Sequence, residues 1–320
     1  MLNLSLSTIF SFLKKVPQPF NEGFLPVGSG HEIHFMEFGN PSGIPVLQFH
    51  GGPGGRCRAE QASTYDLSVY RVILFSQRGC GLSRFTDLLA DNTPQATLAD
   101  AEKLLYHLVP NQTVIVVGSS YGSTLALLFA EKNPKIVRAL IVKSVFLARQ
   151  TDLDWADKTS ALFYPDLMSE MKSILKSKEN LLDGYHRLLF SGNYEDMKTA
   201  LRYYGSYERC LGRTNPVFKP ITALNDNQVN SFKIALTYER NQMFLPDNII
   251  LKNIKRIKNM PTLIVHNRLD MTCPITQAWE LAQALNNVTF KIVPDIGHGS
   301  NRLNREFCKY TRQFLKNLSD

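Results

Sequence analysis

Short, nearly unbroken apolar runs recur along this chain, each closed by glycine, proline or a polar turn, and they set its plan. Gly23 to Val27 and His31 to Phe38 alternate in polarity around Gly28-Ser29-Gly30, which predicts an antiparallel hairpin. The runs Ile44 to Phe49, Tyr70 to Phe75, Val114 to Val117, Val137 to Val142, Thr262 to Val265 and Val288 to Val293 are apolar almost throughout, as in strands covered on both faces. Helical patterns fall between them. Thr97 reads as the N-cap of a helix through Leu108, with Asp100 three residues on; others run from Gly122 to about Asn133, from Thr276 to Leu285 and from Asn304 to Leu318. Alternating strands and helices predict an α/β fold with a mostly parallel central sheet flanked by helices.

The rhythm breaks once. From about Ala148 the chain carries helical patterns, many aromatic residues and no buried-strand signal until Met260-Pro261 opens the next strand. Residues 149–248 therefore read as an inserted helical cap, and residues 1–148 with 249–320 as the body that carries it. The segment Met1 to Val16 mixes apolar residues with Ser and Asn, and Lys14-Lys15 follow the apolar stretch instead of leading it, the wrong order for a secretory signal. A short amphipathic helix is the expectation there.

Composition narrows the class. With 320 residues, 44% hydrophobic and 20% charged, the chain has the make-up of an ordinary globular protein. Its net charge of +8 comes from scattered lysines and arginines, the densest patch being Lys252 to Lys258, so a solvated basic face is expected and a nucleic-acid partner is not. Five widely spaced cysteines without a CxxC pair speak against a disulfide framework or a structural zinc site, and for a reducing, cytoplasmic setting. No run reaches the roughly 20 apolar residues that a membrane span needs, so no stable membrane association is expected.

Candidate chemistry begins where Val114 to Val117 end in Gly118-Ser119-Ser120-Tyr121-Gly122. A strand, a sharp turn framed by glycines and a helix form a nucleophile elbow, with Ser120 as the exposed hydroxyl. Such a motif also arises by chance, and a buried serine at a helix start is the plainer explanation, so partners decide. A serine hydroxyl needs a base, and the base an orienting acid. Asp270 follows one late strand and His298 the next, in the order Ser, Asp, His and in the loops at strand ends where Ser120 itself sits. Asp295 is a rival acid, more plausibly shaping the loop before His298. Of the other imidazoles, His50 precedes a glycine loop, His266 closes a strand, and His31, His34, His107 and His186 belong to the hairpin or to helices. The loop His50-Gly51-Gly52-Pro53-Gly54-Gly55 holds four glycines in six residues. It lets peptide N–H groups approach a ligand, as in an oxyanion hole, or is a mere tight turn.

HGGPGG at His50 to Gly55, Gln77-Arg78-Gly79 with Gly81 and Ser83, GSSYGSTLAL at Gly118 to Leu127, Arg268-Leu269-Asp270 with Pro274, and Gly297-His298 together resemble the proline iminopeptidase (prolyl aminopeptidase) family of serine peptidases. The likeness runs from about Phe20 to the end. It implies an α/β-hydrolase fold, a triad of Ser120, Asp270 and His298, and oxyanion donors in the backbone N–H groups of Gly52 and Tyr121. It implies no cofactor and no metal. The family's aromatic-x-x-aromatic-Glu pattern is matched by Tyr204-Gly205-Ser206-Tyr207-Glu208, and its second cap glutamate by Glu239. Those carboxylates would bind the cationic amine of a short peptide with N-terminal proline, and Phe146 with the tyrosines would wall the pyrrolidine ring. The chain departs from the pattern at Ser76 for aspartate, Tyr121 and the cap tyrosines for tryptophan, and Asn267 for glycine, which bears on pocket size. An esterase or amidase of the same fold, or a non-catalytic binding protein, are the alternatives.

Overall fold

In the computed structural model, which describes residues 16–212 and 223–318, the apolar runs pair into one nine-stranded sheet. The strands are β1 (Asn21–Gly28), β2 (His31–Gly39), β3 (Ile44–Phe49), β4 (Tyr70–Phe75), β5 (Arg84–Phe85), β6 (Val114–Ser119), β7 (Val137–Lys143), β8 (Thr262–Leu269) and β9 (Val288–Ile296). Their spatial order is β1-β2-β4-β3-β6-β7-β8-β9, with β5 beside β2. The β1/β2 and β2/β4 pairs are antiparallel, and every pair from β4 to β9 is parallel. The chain leaves β3 toward β4 on one side and returns to β6 on the other. The loops after β3 and β6 therefore diverge, which opens a crevice above those strand ends.

Helices α1 (Pro94–Leu108) and α2 (Tyr121–Lys132) precede β7. Between β7 and β8 come α3 (Gln150–Asp154), α4 (Pro165–Ser173), α5 (Leu181–Leu189), α6 (Tyr194–Gly212), α7 (Asp226–Arg240) and α8 (Ile249–Asn253); α9 (Ile275–Ala284) and α10 (Asn301–Asn317) follow β8 and β9. Successive strand residues face opposite ways. Leu47, Phe49, Ile73 and Val116 pack on Leu104, Leu125, Phe129 and Leu281 of α1, α2 and α9, while Val46, Val72, Ile115 and Val117 pack on the α10 side with Leu303, Phe307 and Leu315. Each such fully buried side chain contributes roughly 1.5–3 kcal/mol.

The helices between β7 and β8 own a separate apolar cluster: Leu167 and Met171 of α4, Tyr185 and Leu189 of α5, Leu201 and Leu211 of α6, and Val229 and Leu236 of α7. Helix α7 joins the two bodies, because its Ile234 and Tyr238 belong to the sheet-side cluster.

Several boundaries differ from the sequence expectation. Helix α1 starts at Pro94, not after Thr97; the cap is Thr93, whose side chain accepts the Ala96 N–H at 3.3 Å, and Thr97 lies buried within the helix. Proline at the first helical position has its φ preset and loses no hydrogen bond there. Strands β8 and β9 extend past their apolar runs, since Asn267 still pairs with Val293 and Leu269 with Ile296. Helix α10 begins at Asn301, capped by Ser300, whose hydroxyl accepts the Leu303 N–H at 3.0 Å. The helix expected over Met1 to Val16 lies outside the described residues apart from Val16.

Candidate active site

Ser120 sits between β6 and α2 at φ 58°, ψ −132°. That strained turn is pinned from both sides. The Ser120 N–H donates to the Lys143 carbonyl at 3.0 Å, and the Ser120 carbonyl accepts the Ser123 N–H at 2.7 Å and the Ser123 hydroxyl at 2.6 Å. The glycines are steric necessities: a Cβ at Gly118 would collide with the Gly122 carbonyl, and one at Gly122 with the Phe49 carbonyl.

The glycine loop presses against this elbow, since a Cβ at Gly51 would lie 3.2 Å from that of Ser120. His50 holds the loop from below. Its Nδ1 bonds the Gly51 carbonyl at 2.8 Å, and its Nε2 accepts the Gln77 N–H at 3.0 Å, which fixes the Nδ1–H tautomer. Burial pushes its pKa down to about 4, so it stays neutral. Gly52 adopts φ 129°, and Tyr121 is the first residue of α2, where N–H groups have no partner within their own helix.

Asp270 and His298 emerge from the ends of β8 and β9. His298 Nδ1 lies 2.8 Å from Asp270 Oδ2, while Oδ1 accepts the N–H groups of Thr272 at 3.0 Å and Cys273 at 2.9 Å. Burial alone would raise the Asp270 carboxyl, but the His298 charge and hydrogen bond, with the smaller effects of His266 and the Cys273 N–H, hold it below the usual carboxylate range. A second imidazole, His266, lies 3.7 Å from the same carboxylate. It is sealed, with Nδ1 accepting the Val145 N–H at 3.1 Å and Nε2 bonded to the Cys273 carbonyl at 2.8 Å, so only His298 reaches the cavity. Asp295 accepts the Ser300 hydroxyl at 2.5 Å, and Asn267 Nδ2 donates to the Gly297 carbonyl at 2.5 Å; both brace the His298 loop. His31 and His34 lie in β2, His107 in α1 and His186 in α5, away from this cavity.

A cavity of about 540 Å³ brings Gly52, Ser120, Phe146, Tyr204, Tyr207, Glu208, Glu239 and His298 to one space. Helix α6 presents Tyr204, Glu208 and Leu211, and α7 presents Phe232, Ala235 and Glu239, each set spaced along one helical face. Glu239 accepts the Tyr204 hydroxyl, whose ring meets Phe232 edge-on at 6.2 Å. The Tyr207 hydroxyl is taken by the Ala156 carbonyl at 2.5 Å and by Ser160 at 2.7 Å, so Tyr207 offers the cavity its ring. Glu208 lines the cavity and is exposed toward it. Loss of hydration pushes its pKa up to about 7, against the opposing charges of Arg209 and His298.

Sequence reasoning missed Phe232 and Met243 in the lining. The heptad spacing from Phe232 to Glu239 was a signal available for the first. Met243 belongs to a run, Gln242 to Phe244, with φ of 50°, 57° and 54°, and nothing in its residue types announces that. Among the described residues no group of three or more His, Cys, Asp or Glu could hold a metal ion, no helix is long and apolar enough to cross a membrane, and all five cysteines are free.

An elbow serine at a parallel-sheet switch point, with Asp and His on later strand ends, defines a hydrolase of the α/β-hydrolase fold, and residues 44–301 match the model of that family. VinJ has the same fold, with a TM-score of 0.65 at 17% identity over 94% of this chain and 100% of its own; so does an α/β hydrolase from a deep-sea metagenome, with a TM-score of 0.61 at 18% identity over 92% and 97%. Within that fold the chain belongs to the proline iminopeptidase family. It is 34% identical to a proline iminopeptidase of Arabidopsis thaliana, over 89% of this chain and 76% of the relative, and 33% identical to one of Neisseria gonorrhoeae, over 89% and 92%.

Proposed function

We propose that this enzyme is a serine-type exopeptidase that releases N-terminal proline from short peptides. Ser120 Oγ attacks the prolyl carbonyl while His298 Nε2 takes its proton, and Asp270 orients the ring and balances the imidazolium. The N–H groups of Gly52 and Tyr121 receive the oxyanion, a contact for which one donor typically contributes about 3–4 kcal/mol. His298 then returns the proton to the departing amine. Water hydrolyses the prolyl ester by the same route, freeing proline and Ser120.

The observation that carries this reading is one cavity holding Ser120 and His298 on one wall and Glu208 and Glu239 on the other. A nucleophile alone fits any acyl transfer; carboxylates beside it fit a substrate whose acyl group bears a cationic amine. Two carboxylates exceed one ammonium, and the raised pKa of Glu208 lets the empty site keep a proton. Phe146, Tyr204 and Tyr207 supply ring surface for the pyrrolidine. Residues 149–248 act as a cap that excludes folded chains, a division supported by their separate apolar cluster. The free cysteines fit a cytoplasmic setting.

Two assays test this on purified protein. Among aminoacyl arylamides, the prolyl compound should be cleaved fastest, and an aryl-phosphonate should add to Ser120, read by intact mass and peptide mapping. Faster cleavage of simple acyl esters than of any free-amine substrate would instead make the enzyme an esterase, and absence of labelling would remove Ser120 as the nucleophile.

A further inference from the structure

A second, larger cavity of about 990 Å³ lies on the other side of the glycine loop, between the sheet end, α10 and the start of α7. Gly55 and Ser231 line both cavities, and Ser119 lines this one while its neighbour Ser120 lines the first. The larger cavity is cationic: Arg56, Arg58 and Lys143 face it against a single carboxylate, Glu60. Among the described residues none of the three cations has an ion-pair partner. Lys143 is half-buried at the cavity edge, its Nζ donating at 2.7 Å to the neutral Asn304 Oδ1 and lying 5.0 Å from the Phe307 ring. Burial lowers its pKa to about 8, the direction expected for a cation lacking its partner.

The Lys143 backbone borders the proposed reaction, while its side chain faces the larger cavity. It pairs with Ser119 across β6 and β7, and its carbonyl holds the Ser120 N–H. We infer that this cationic cavity binds the C-terminal carboxylate of a short peptide substrate. The inference rests on the peptidase reading above and extends it. A zwitterionic peptide would lie with its amine against Glu208 and Glu239, its first peptide bond at Ser120, and its carboxylate among Arg56, Arg58 and Lys143. Because an extended chain spans only about 3.3–3.6 Å per residue, such a bridge suits peptides of a few residues and penalises long ones.

The test compares prolyl di- and tripeptides carrying a free C-terminal acid with the same peptides amidated, using prolyl arylamide, which has no carboxylate, as reference. In the wild type the acid should be favoured in kcat/KM on the order of tenfold, through KM. Arg56→Gln and, separately, Arg58→Gln should each bring that ratio toward one while leaving arylamide cleavage unchanged. Both arginines are exposed, so either variant can be made without disturbing the core. Equal handling of acid and amide by a wild type that cleaves the arylamide, or a ratio unmoved by the variants, would overturn the carboxylate site alone. A wild type that leaves prolyl arylamide intact would overturn the peptidase reading and this inference with it.

Discussion

On the sheet side of the cavity each proposed catalytic group hangs from a strand end: Ser120 after β6, Asp270 after β8, His298 after β9, with the Gly52 loop after β3. On the roof, Glu208 comes from α6 and Glu239 from α7, helices packed on a core of their own. The sheet side is held by many redundant contacts. Ser120 is tied through its own N–H and carbonyl, Asp270 accepts from two backbone N–H groups, and His50, Gln77, Asn267 and Asp295 brace the loops. In the roof, the Tyr204 hydroxyl donates to Glu239 and the Tyr207 hydroxyl is anchored on the Ala156 carbonyl. In the proposed function, parallel strands fix where chemistry happens and helix packing above them sets what is admitted. Substitutions on the two sides should therefore differ in kind as well as in size.

The largest effect belongs to the sheet side. Ser120→Ala should lower kcat by about a million-fold for free-amine and amine-blocked substrates alike; retention of activity on either would break the comparison. Asp270→Asn should cost about ten-thousand-fold, again on both substrates, by favouring the wrong His298 tautomer.

A pH profile sharpens the roof side. With its pKa near 7, Glu208 in the free enzyme is anionic above that pH and protonated below it, so amine binding should weaken as pH falls through 7. Groups that serve both substrates alike cancel in such a comparison. Below pH 7, log kcat/KM for prolyl arylamide should fall more steeply than for an amine-blocked prolyl ester, by up to one unit per pH unit. Glu208→Gln should make the two profiles parallel.

The smallest effect lies in the body, away from both walls. Glu131 in α2 is buried, its Oε1 has no partner, and burial pushes its pKa up to about 8, with Arg256 opposing. The folded chain keeps that proton to about pH 8, whereas an unfolded glutamate releases it near pH 4.3. Stability is therefore lost as pH rises between those values. Glu131→Gln should raise Tm at pH 8–9 by about 2 °C or more, with a smaller difference at pH 5, and leave turnover unchanged. An equal gain at both pH values would remove ionisation as the cause.

This same division governs what the sequence could reveal. Buried parallel strands are written as apolar runs and end at glycines that only one backbone shape requires, so Ser120, Asp270, His298 and the HGGPGG loop were legible. Strand ends that turn polar, such as Asn267, were not, because their pairing is backbone pairing that side chains do not announce. Thr97 was mistaken for a cap that Thr93-Pro94 supplies. In the roof, Glu208 and Glu239 could be singled out only through family resemblance. Their convergence depends on how α6 and α7 pack, which local pattern does not specify.

The division between a reacting floor and a reading roof is tested most directly by kcat/KM of Glu208→Gln and Glu239→Gln on prolyl arylamide and on an amine-blocked prolyl ester. Each variant should lose about ten- to a hundredfold on the free-amine substrate, from charge-assisted hydrogen bonds of about 1.5–3 kcal/mol, and less than about twofold on the blocked ester. Equal losses on both substrates would contradict the assignment of the cap carboxylates to the substrate amine.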